Sequence, residues 1–192
     1  MNAPRRPGLL ERVRGHPHRL GAAAYAGVLS AVSLAVPGVV GLVSHQPWLF
    51  PSLGPTVMLF FESPEQPSAR PINTLVGHGV GIAAGVLCLA VFGLNGRPPA
   101  PVAGLSAGYV AAAVTSVAIT TIVLTLVKLP HPPAGASTLI VSLGILSSAS
   151  EILTMAGAVV LITVIGWGMN IVLGTRPADP KHTAASPRRD PT

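Results

Sequence analysis

The chain has 192 residues, of which only 9% are charged, whereas about a quarter of the residues in an average soluble protein are charged. Hydrophobic residues make up 49% of the sequence, and its mean hydropathy is +0.62. A soluble domain with so few charges could not cover its surface with solvated groups, and a disordered chain requires low hydrophobicity and high net charge. The composition therefore excludes both classes and predicts an integral membrane protein.

The positions of the charges set the predicted membrane spans. Twelve of the 18 charged residues lie before residue 20 or after residue 175, which leaves long charge-free stretches between them. A helix that spans a bilayer needs about 20 predominantly apolar residues. The sequence therefore predicts an all-α bundle with four full spans, near residues 20–44, 72–93, 102–127 and 152–173. The first apolar run is longer than the core of a cleaved signal peptide, which has about 7–15 residues.

The basic residues predict the orientation of the chain. The N-terminal tail, residues 1–19, carries five arginines, and the C-terminal tail, residues 174–192, carries three arginines and one lysine. Cytoplasmic loops are enriched in Lys and Arg, so we expect both tails to be cytoplasmic. The transmembrane domain between them, residues 20–173, is expected in a bacterial inner or plasma membrane, with the C-terminal tail flexible. A nucleic-acid partner is not expected, because only 4% of the residues are aromatic.

Two short stretches outside the four spans resemble each other. Residues 51–61 read PSLGPTVMLFF, and residues 132–142 read PPAGASTLIVS. An offset of 81 residues aligns these stretches and also places the first span on the third and the second on the fourth. The sequence therefore predicts two related halves, about 20–93 and 102–173, each with a broken short helix between two long spans. The alternative is that apolar sequence rich in small residues aligns with itself by chance.

Each short stretch contains a break at which a new helix can begin. Pro51 and the pair Pro132-Pro133 suit a first helical turn, because the N–H that proline lacks would be unpaired there. Helices over 52–61 and 134–146 would be about 15–20 Å long, roughly half to two thirds of a bilayer core. A helix that starts inside the membrane presents free N–H groups and a partial positive charge, which favour an anion. The alternative is that both breaks are surface turns.

Polar and glycine residues beside these breaks and in the second span are the candidate substrate-binding residues. They are Ser52, Gly54, Thr56, Asn73, His78, His131, Gly135, Ser137 and Thr138. Structural roles stay open for three of them: His78 could join two helices, and Asn73 and His131 could cap helices. The two histidines lack nearby carboxylate or thiolate partners, so no metal site is expected. No convincing nucleophile–base spacing is present, so we expect neither an enzyme nor a bound cofactor.

Small residues recur at every fourth position in the second span, at Gly77, Gly81 and Gly85. This spacing allows helix backbones to approach each other closely. Packing within the bundle is the first interpretation, and the interface of a homo-oligomer is the second. The expected partners are therefore the lipid bilayer, a small anion and, in the second interpretation, another copy of the chain.

The motifs, taken in order, resemble those of the HPP family of small integral membrane proteins. The resemblance rests on the sequence HPPAGA at 131–136, on Ser-Leu-Gly at 52–54 and Leu-Phe at 59–60, and on Arg-Pro at 70–71, Asn73 and Gly-His at 77–78. It covers roughly residues 20–173. The ordered set is much more specific than a single His-Pro-Pro would be.

The resemblance implies a function. The family is described as four-spanning, and its plastid and cyanobacterial members are associated with nitrite transport. We therefore expect a transporter or channel-like facilitator of a small inorganic anion, with nitrite as the first candidate. The helix starts at 51–56 and 131–138 would form the substrate path. A non-transporting membrane scaffold or regulatory module is the alternative.

Overall fold

The computed structural model describes residues 8–14 and 20–175, and the regular structure in these residues is entirely helical. The elements are α1 (Leu9–Arg14), α2 (Leu20–Ser44), α3 (Leu53–Glu62), α4 (Pro71–Val91), α5 (Ala100–Ala103), α6 (Ala107–Leu126), α7 (Ala134–Ser142) and α8 (Ala149–Val172), with a 3₁₀ turn at Pro67–Ala69. Residues 1–7, 15–19 and 176–192, which form most of the two predicted tails, lie outside the described residues.

Within the part of the chain that the structure describes, four helices are long and apolar enough to cross a membrane: α2, α4, α6 and α8. They coincide with the four predicted spans, which confirms an all-helical membrane bundle. Helix α6 begins five residues later than predicted because Gly104 turns the chain with a φ of +83°. The hydroxyl of Ser106 then accepts a hydrogen bond from the backbone N–H of Tyr109, which fixes the first turn of α6.

Helix α8 begins three residues earlier than predicted because a capping box precedes it. The Ser148 hydroxyl accepts from the Glu151 backbone N–H, and the Glu151 carboxylate accepts from the Ser148 backbone N–H. Helix α7 ends at Ser142 rather than at residue 146, because Gly144 takes a φ of +72° and ends the helix in a turn. The first short helix, α3, differs by one residue from the predicted 52–61.

The second half of the chain packs around α4. His131, Ala134 and Val141 lie against Gly77, Gly81 and Gly85 in the same order, so α7 runs parallel to α4. Helix α6 runs antiparallel to α4, because Gly108 in its first turn lies beside Leu94, just beyond the end of α4. The glycine row of α4 is therefore the packing surface for α7, as its spacing predicted for contacts within the bundle.

The first half of the chain packs on α8. Trp48, which precedes α3, lies against Gly157, and Phe60 near the end of α3 lies against Gly166, so α3 runs parallel to α8. The Trp167 indole N–H donates to the carbonyl oxygen of Ala69, which places the last turns of α8 beside the start of α4. Helices α4 and α8 are therefore antiparallel.

Successive apolar helices from α2 to α8 alternate in direction when the four-residue α5 is left aside. Both ends of the described bundle consequently lie on the same side. The backbone N–H of Leu9 in α1 donates to the carbonyl oxygen of Leu173, at 3.0 Å. Leu10, which lies in the predicted N-terminal tail, is buried in the larger hydrophobic core between α2, α3 and α8.

Both short helices begin part of the way along α4. Helix α4 has 21 residues, which corresponds to a length of roughly 30 Å. Helix α7 begins beside Gly77 and Gly81, and Thr56 in the first turns of α3 contacts His78. The starts of α3 and α7 therefore lie at similar depth, between one third and one half of the way along α4, and the two helices run away from that level in opposite directions.

Candidate functional site

His78 joins the starts of the two short helices. It is buried in α4 with 1% of its surface exposed. The hydroxyl oxygen of Thr56 in α3 lies 3.0 Å from His78 Nε2, and the hydroxyl oxygen of Ser137 in α7 lies 2.6 Å from His78 Nδ1. Thr56 and Ser137 are themselves 81 positions apart in the sequence. One imidazole therefore connects equivalent hydroxyl positions of two helices.

His131 adds a second imidazole to this network. Its Nε2 lies 3.2 Å from His78 Nε2, and its Nδ1 lies 2.8 Å from the carbonyl oxygen of Ser68. The two rings meet edge to face with their centroids 4.9 Å apart. Space for His131 comes from Gly77, where an added Cβ would lie 2.6 Å from the His131 Cβ. The proposed cap at α7 is not formed by His131, because Pro133 occupies the N-cap position.

Two backbone carbonyls fix the proton positions of the network when both imidazoles are neutral. A carbonyl oxygen only accepts, so His131 Nδ1–H donates to Ser68 and the Thr56 hydroxyl donates to Ser52. His131 Nε2 is then an acceptor, and His78 Nε2–H donates to it and to Thr56. His78 Nδ1 in turn accepts from the Ser137 hydroxyl. We call these four side chains, Thr56, His78, His131 and Ser137, the histidine network.

A second polar contact links α7 to α6 beside the histidine network. The hydroxyl oxygens of Thr138 and Thr120 lie 3.0 Å apart, and each also hydrogen-bonds a backbone carbonyl in its own helix. The Thr138 hydroxyl lies over Gly81, where an added Cβ would be 2.7 Å from it. Thr138, a predicted site residue, therefore joins three helices without touching either histidine.

Ser52 occupies the N-cap position of α3 and is fully buried. Its carbonyl accepts from Thr56, but its side-chain hydroxyl has no hydrogen-bond partner within the described part of the chain. A buried hydroxyl without a partner costs free energy and calls for an explanation. Ser52 therefore presents an unused polar atom at the start of α3.

Asn73 connects α4 to the break before α7. Its Nδ2 donates to the carbonyl oxygen of Pro130 at 3.0 Å, and its Oδ1 has no partner among the described residues. The proposed capping role is not observed, because Arg70 is the N-cap residue of α4. Gly54 and Gly135 are partly exposed, and nothing lies within 4 Å of a Cβ added to either one. These two glycines therefore lie outside the histidine network.

Two contributors to the site were missed by sequence reasoning. The Ser68 carbonyl is a backbone acceptor in a connecting segment and gives no signal in the sequence. Thr120 did have a signal, because Ser116 and Thr120 are four residues apart and share one face of α6. The side chains of Ser116 and Thr120 are both buried.

Two cavities border the break before α7. The cavity between α3 and α7 has a volume of about 400 Å³ and is lined by Pro55, Met58 and Pro133 among others. The cavity between α6 and α7 has a volume of about 350 Å³, and its lining includes His131 and three threonines of α6. We call the second one the α6–α7 cavity. The histidine network therefore has a mostly apolar cavity with several threonines at its His131 end.

The site offers little for a metal ion in the described residues. No group of three or more His, Cys, Asp or Glu side chains comes together in residues 8–14 and 20–175. The two imidazoles of the network are instead paired with hydroxyls and a carbonyl.

Comparison with known proteins places this arrangement in a family. The family model described as HPP, transmembrane region, matches residues 15–178. The match includes every long helix and both short ones, and it contains the whole histidine network. Neither a curated protein nor a solved structure matches the chain.

Proposed function

Because the chain belongs to the HPP family of integral membrane proteins, we propose that it is a transporter or channel-like facilitator of a small inorganic anion. The observation that carries this proposal is the meeting of two short helices, which begin at similar depth beside His78 and run in opposite directions. In a bilayer this level lies within the membrane, because α4 itself spans it. The path would pass through residues 51–56 and 131–138.

The packing supports an internal repeat with inverted topology. Val141 of α7 packs against Gly85 of α4. In the same way, Phe60 of α3 packs against Gly166 of α8. Both members of the second pair are displaced by 81 residues from the first, so the same contact between the two halves is made twice. Three alternating helices per half give the halves opposite directions. Transporters with such repeats bind substrate near the bilayer midplane, at helices that are broken there.

The electrostatics of the helix starts favour an anion. The expected free N–H groups are largely paired at these starts: the N–H of Leu53 donates to the Phe50 carbonyl, and the first three N–H groups of α7 donate to the carbonyls of residues 131–133. What each helix contributes is its dipole, the equivalent of about half a positive charge at the N-terminus. The contacts of the histidine network are hydroxyls, imidazoles and carbonyls. The unpartnered hydroxyl of Ser52 is a donor already in place at the start of α3. The family resemblance indicates nitrite as the substrate. The basic residues of the two tails indicate that both tails are cytoplasmic.

The described conformation is closed around the network. Thr56, His78, His131 and Ser137 are all buried, with at most 2% of any of them exposed. An anion therefore reaches them only when the packing of α3 or α7 on α4 loosens. The α6–α7 cavity and the cavity between α3 and α7 end at the break that such a movement would open.

We propose transport rather than enzymatic catalysis, although Ser137 and His78 are within hydrogen-bond distance of each other. A serine and a histidine at this distance also occur in hydrolases, where a third group, often a carboxylate, orients the base. Here the second ring nitrogen of His78 faces the Thr56 hydroxyl and the His131 ring. Both hydroxyl groups and both rings are engaged in joining helices.

Nitrite uptake into liposomes containing the purified protein tests the proposal. We expect uptake above that of protein-free liposomes, and a reduction of about tenfold or more in Thr56→Val and Ser137→Ala, because each loses one hydrogen bond of about 1.4 kcal/mol at the site. Thr154→Val is the matched control, since the Thr154 hydroxyl donates only to Ser150 within α8. If liposomes that contain folded, monodisperse protein take up no more nitrite than protein-free liposomes, the transport proposal is overturned and the scaffold or regulatory module is favoured.

A further inference from the structure

We propose that His78 and His131 together take up one proton with each anion, so that the protein moves the anion and the proton in the same direction. This inference rests on the proposed function and names the ion that accompanies the anion. It follows from the arrangement of hydrogen-bond donors and acceptors, which accommodates one extra proton and no more.

In the neutral network every ring nitrogen already has one assigned role. His78 Nε2–H points to the lone pair of His131 Nε2, across 3.2 Å, and His131 Nδ1–H is held by the Ser68 carbonyl. Two facing nitrogens cannot both carry hydrogen, so only one proton fits between the rings. The remaining site on the pair is His78 Nδ1, which accepts from Ser137.

An added proton has a defined place on this pair. It binds His78 Nδ1, and the Ser137 hydroxyl turns from donor to acceptor. The His78 Nε2–H bond then breaks as the proton moves to His131 Nε2, which leaves His78 neutral with hydrogen on Nδ1. His131 becomes the cation, and both of its N–H groups keep acceptors, His78 Nε2 and the Ser68 carbonyl. The Thr56 hydroxyl keeps its bond to the Ser52 carbonyl and loses the hydrogen that it accepted from His78 Nε2, and the positive charge of the pair increases by one.

The same step prepares the site for an anion. When Ser137 stops donating to His78, its O–H becomes free to donate elsewhere at the start of α7. The Ser52 hydroxyl, at the start of α3, has no hydrogen-bond partner among the described residues. One free hydroxyl donor then lies at each helix start. Protonation of the pair thus supplies both a positive charge and a donor.

The helix N-termini make the two binding events depend on each other. Two partial positive charges disfavour a cation at the histidine network when no anion is present, and a bound monovalent anion removes that penalty. By linkage, the anion strengthens proton binding by the same factor by which the proton strengthens anion binding. The loaded site is electrically neutral apart from the helix dipoles.

Few other ionisable side chains belong to the elements that surround the pair. Helices α6 and α7 carry no Asp, Glu, Lys, Arg or His, and α4 carries only His78. The other ionisable residues of α3, of the connections on either side of it and of the connection before α7 are His45, Glu62, Glu65, Arg70 and Lys128. His131 also belongs to the lining of the α6–α7 cavity.

Simultaneous measurement of nitrite uptake and internal pH in proteoliposomes tests the inference without any variant. We expect one proton to enter with each nitrite above the background of protein-free liposomes, and we expect no acceleration by an inside-positive potential. Lowering the external pH by one unit should raise the initial rate up to about tenfold, because the proton is a co-substrate. Nitrite uptake without internal acidification, or uptake driven by the potential, would overturn the inference and leave anion transport standing.

Three variants connect the proton to the pair. His78→Gln and His131→Gln should lose the acceleration by external protons, whereas His45→Gln, an exposed histidine before α3, should keep it. Retention of the full pH response in both network variants would overturn the assignment to these rings. Absence of nitrite uptake by the wild-type protein would instead remove the proposed function, and the inference with it.

Discussion

The starts of the two short helices, 81 residues apart, differ in their chemistry although their packing is alike. The start of α7 carries His131, which is hydrogen-bonded at both ring nitrogens. The equivalent position before α3 is Phe50, which is buried in the apolar core. The start of α3 instead carries Ser52, whose buried hydroxyl is unpartnered in the described part of the chain.

The long helices show the same contrast. His78 of α4 has Val159 at the equivalent position of α8, so the histidine pair takes one ring from each half and has apolar counterparts in both. The contacts between glycines and large side chains are repeated, because each short helix needs a close approach to a long one. The histidines are not repeated in the two halves, since a single pair between the starts of α3 and α7 contacts both of them. The two halves therefore have the same kind of contact between a glycine and a large side chain, whereas their polar residues differ.

The largest expected effect comes from filling the repeated glycine contacts. A Cβ on Gly85 would lie 2.7 Å from the Val141 Cβ, and a Cβ on Gly166 would lie 2.5 Å from the Phe60 ring. Gly85→Ala and Gly166→Ala should each destabilise the folded protein by about 3 kcal/mol, the upper part of the usual cost of overpacking. Thermal unfolding in detergent measures this effect.

Gly79→Ala is the control for that experiment, because nothing lies within 4 Å of a Cβ at this exposed position of α4. Its unfolding temperature should be unchanged or slightly higher, since alanine favours a helix. Phe60→Ala should restore part of the stability lost in Gly166→Ala, because the atoms closest to the added Cβ belong to the Phe60 ring. A strong loss of stability in only one of the two variants, Gly85→Ala or Gly166→Ala, would contradict the conclusion that the two glycine contacts are equivalent.

The sequence predicted the fold well because its signals were local. Charge-free apolar runs located the long helices, and prolines located the starts of α3 and α7 to within two residues. The remaining differences come from turns and caps, such as Gly104 before α6 and the Ser148–Glu151 box before α8, which act over three or four residues. The directions of the middle helices depend on whether α3 and α7 cross the bundle or re-enter, and the sequence left this open because contacts between distant segments decide it.

The sequence identified the kinds of residue that form the candidate site, but it did not indicate which of them are hydrogen-bonded to each other. His78 and His131 are 53 positions apart, and neither sequence context indicated that their Nε2 atoms face each other. The Ser68 carbonyl that orients His131 leaves no mark on the sequence, since every residue has a carbonyl. Gly54 and Gly135 lie in the first turns of α3 and α7, where nothing lies within 4 Å of an added Cβ, and Gly135 lines the α6–α7 cavity together with His131. Substrate binding by all nine residues stays a prediction.

A smaller effect distinguishes the two hydroxyls that hold His78. Ser137 is the partner of His78 Nδ1, so Ser137→Ala leaves that nitrogen unpaired in a buried position. In Thr56→Val, His78 Nε2–H still has the His131 acceptor. We expect Ser137→Ala to cost about 1–2 kcal/mol of unfolding free energy and Thr56→Val to cost less. Denaturant unfolding in detergent measures both, and the reverse order would show that the proton positions of the network are assigned wrongly.

The smallest expected effect on stability belongs to Ser52→Ala, and it separates folding from function at the first helix start. The Ser52 hydroxyl is buried and has no partner within residues 8–14 and 20–175. Its removal takes away an unsatisfied group and should leave the unfolding free energy unchanged or raise it by up to about 1 kcal/mol. Nitrite uptake should nevertheless fall, because α3 loses the donor that it offers to the anion. A loss of stability as large as that of Ser137→Ala would mean that the hydroxyl has a structural partner, and the start of α3 would then resemble the start of α7 in chemistry as well as in packing.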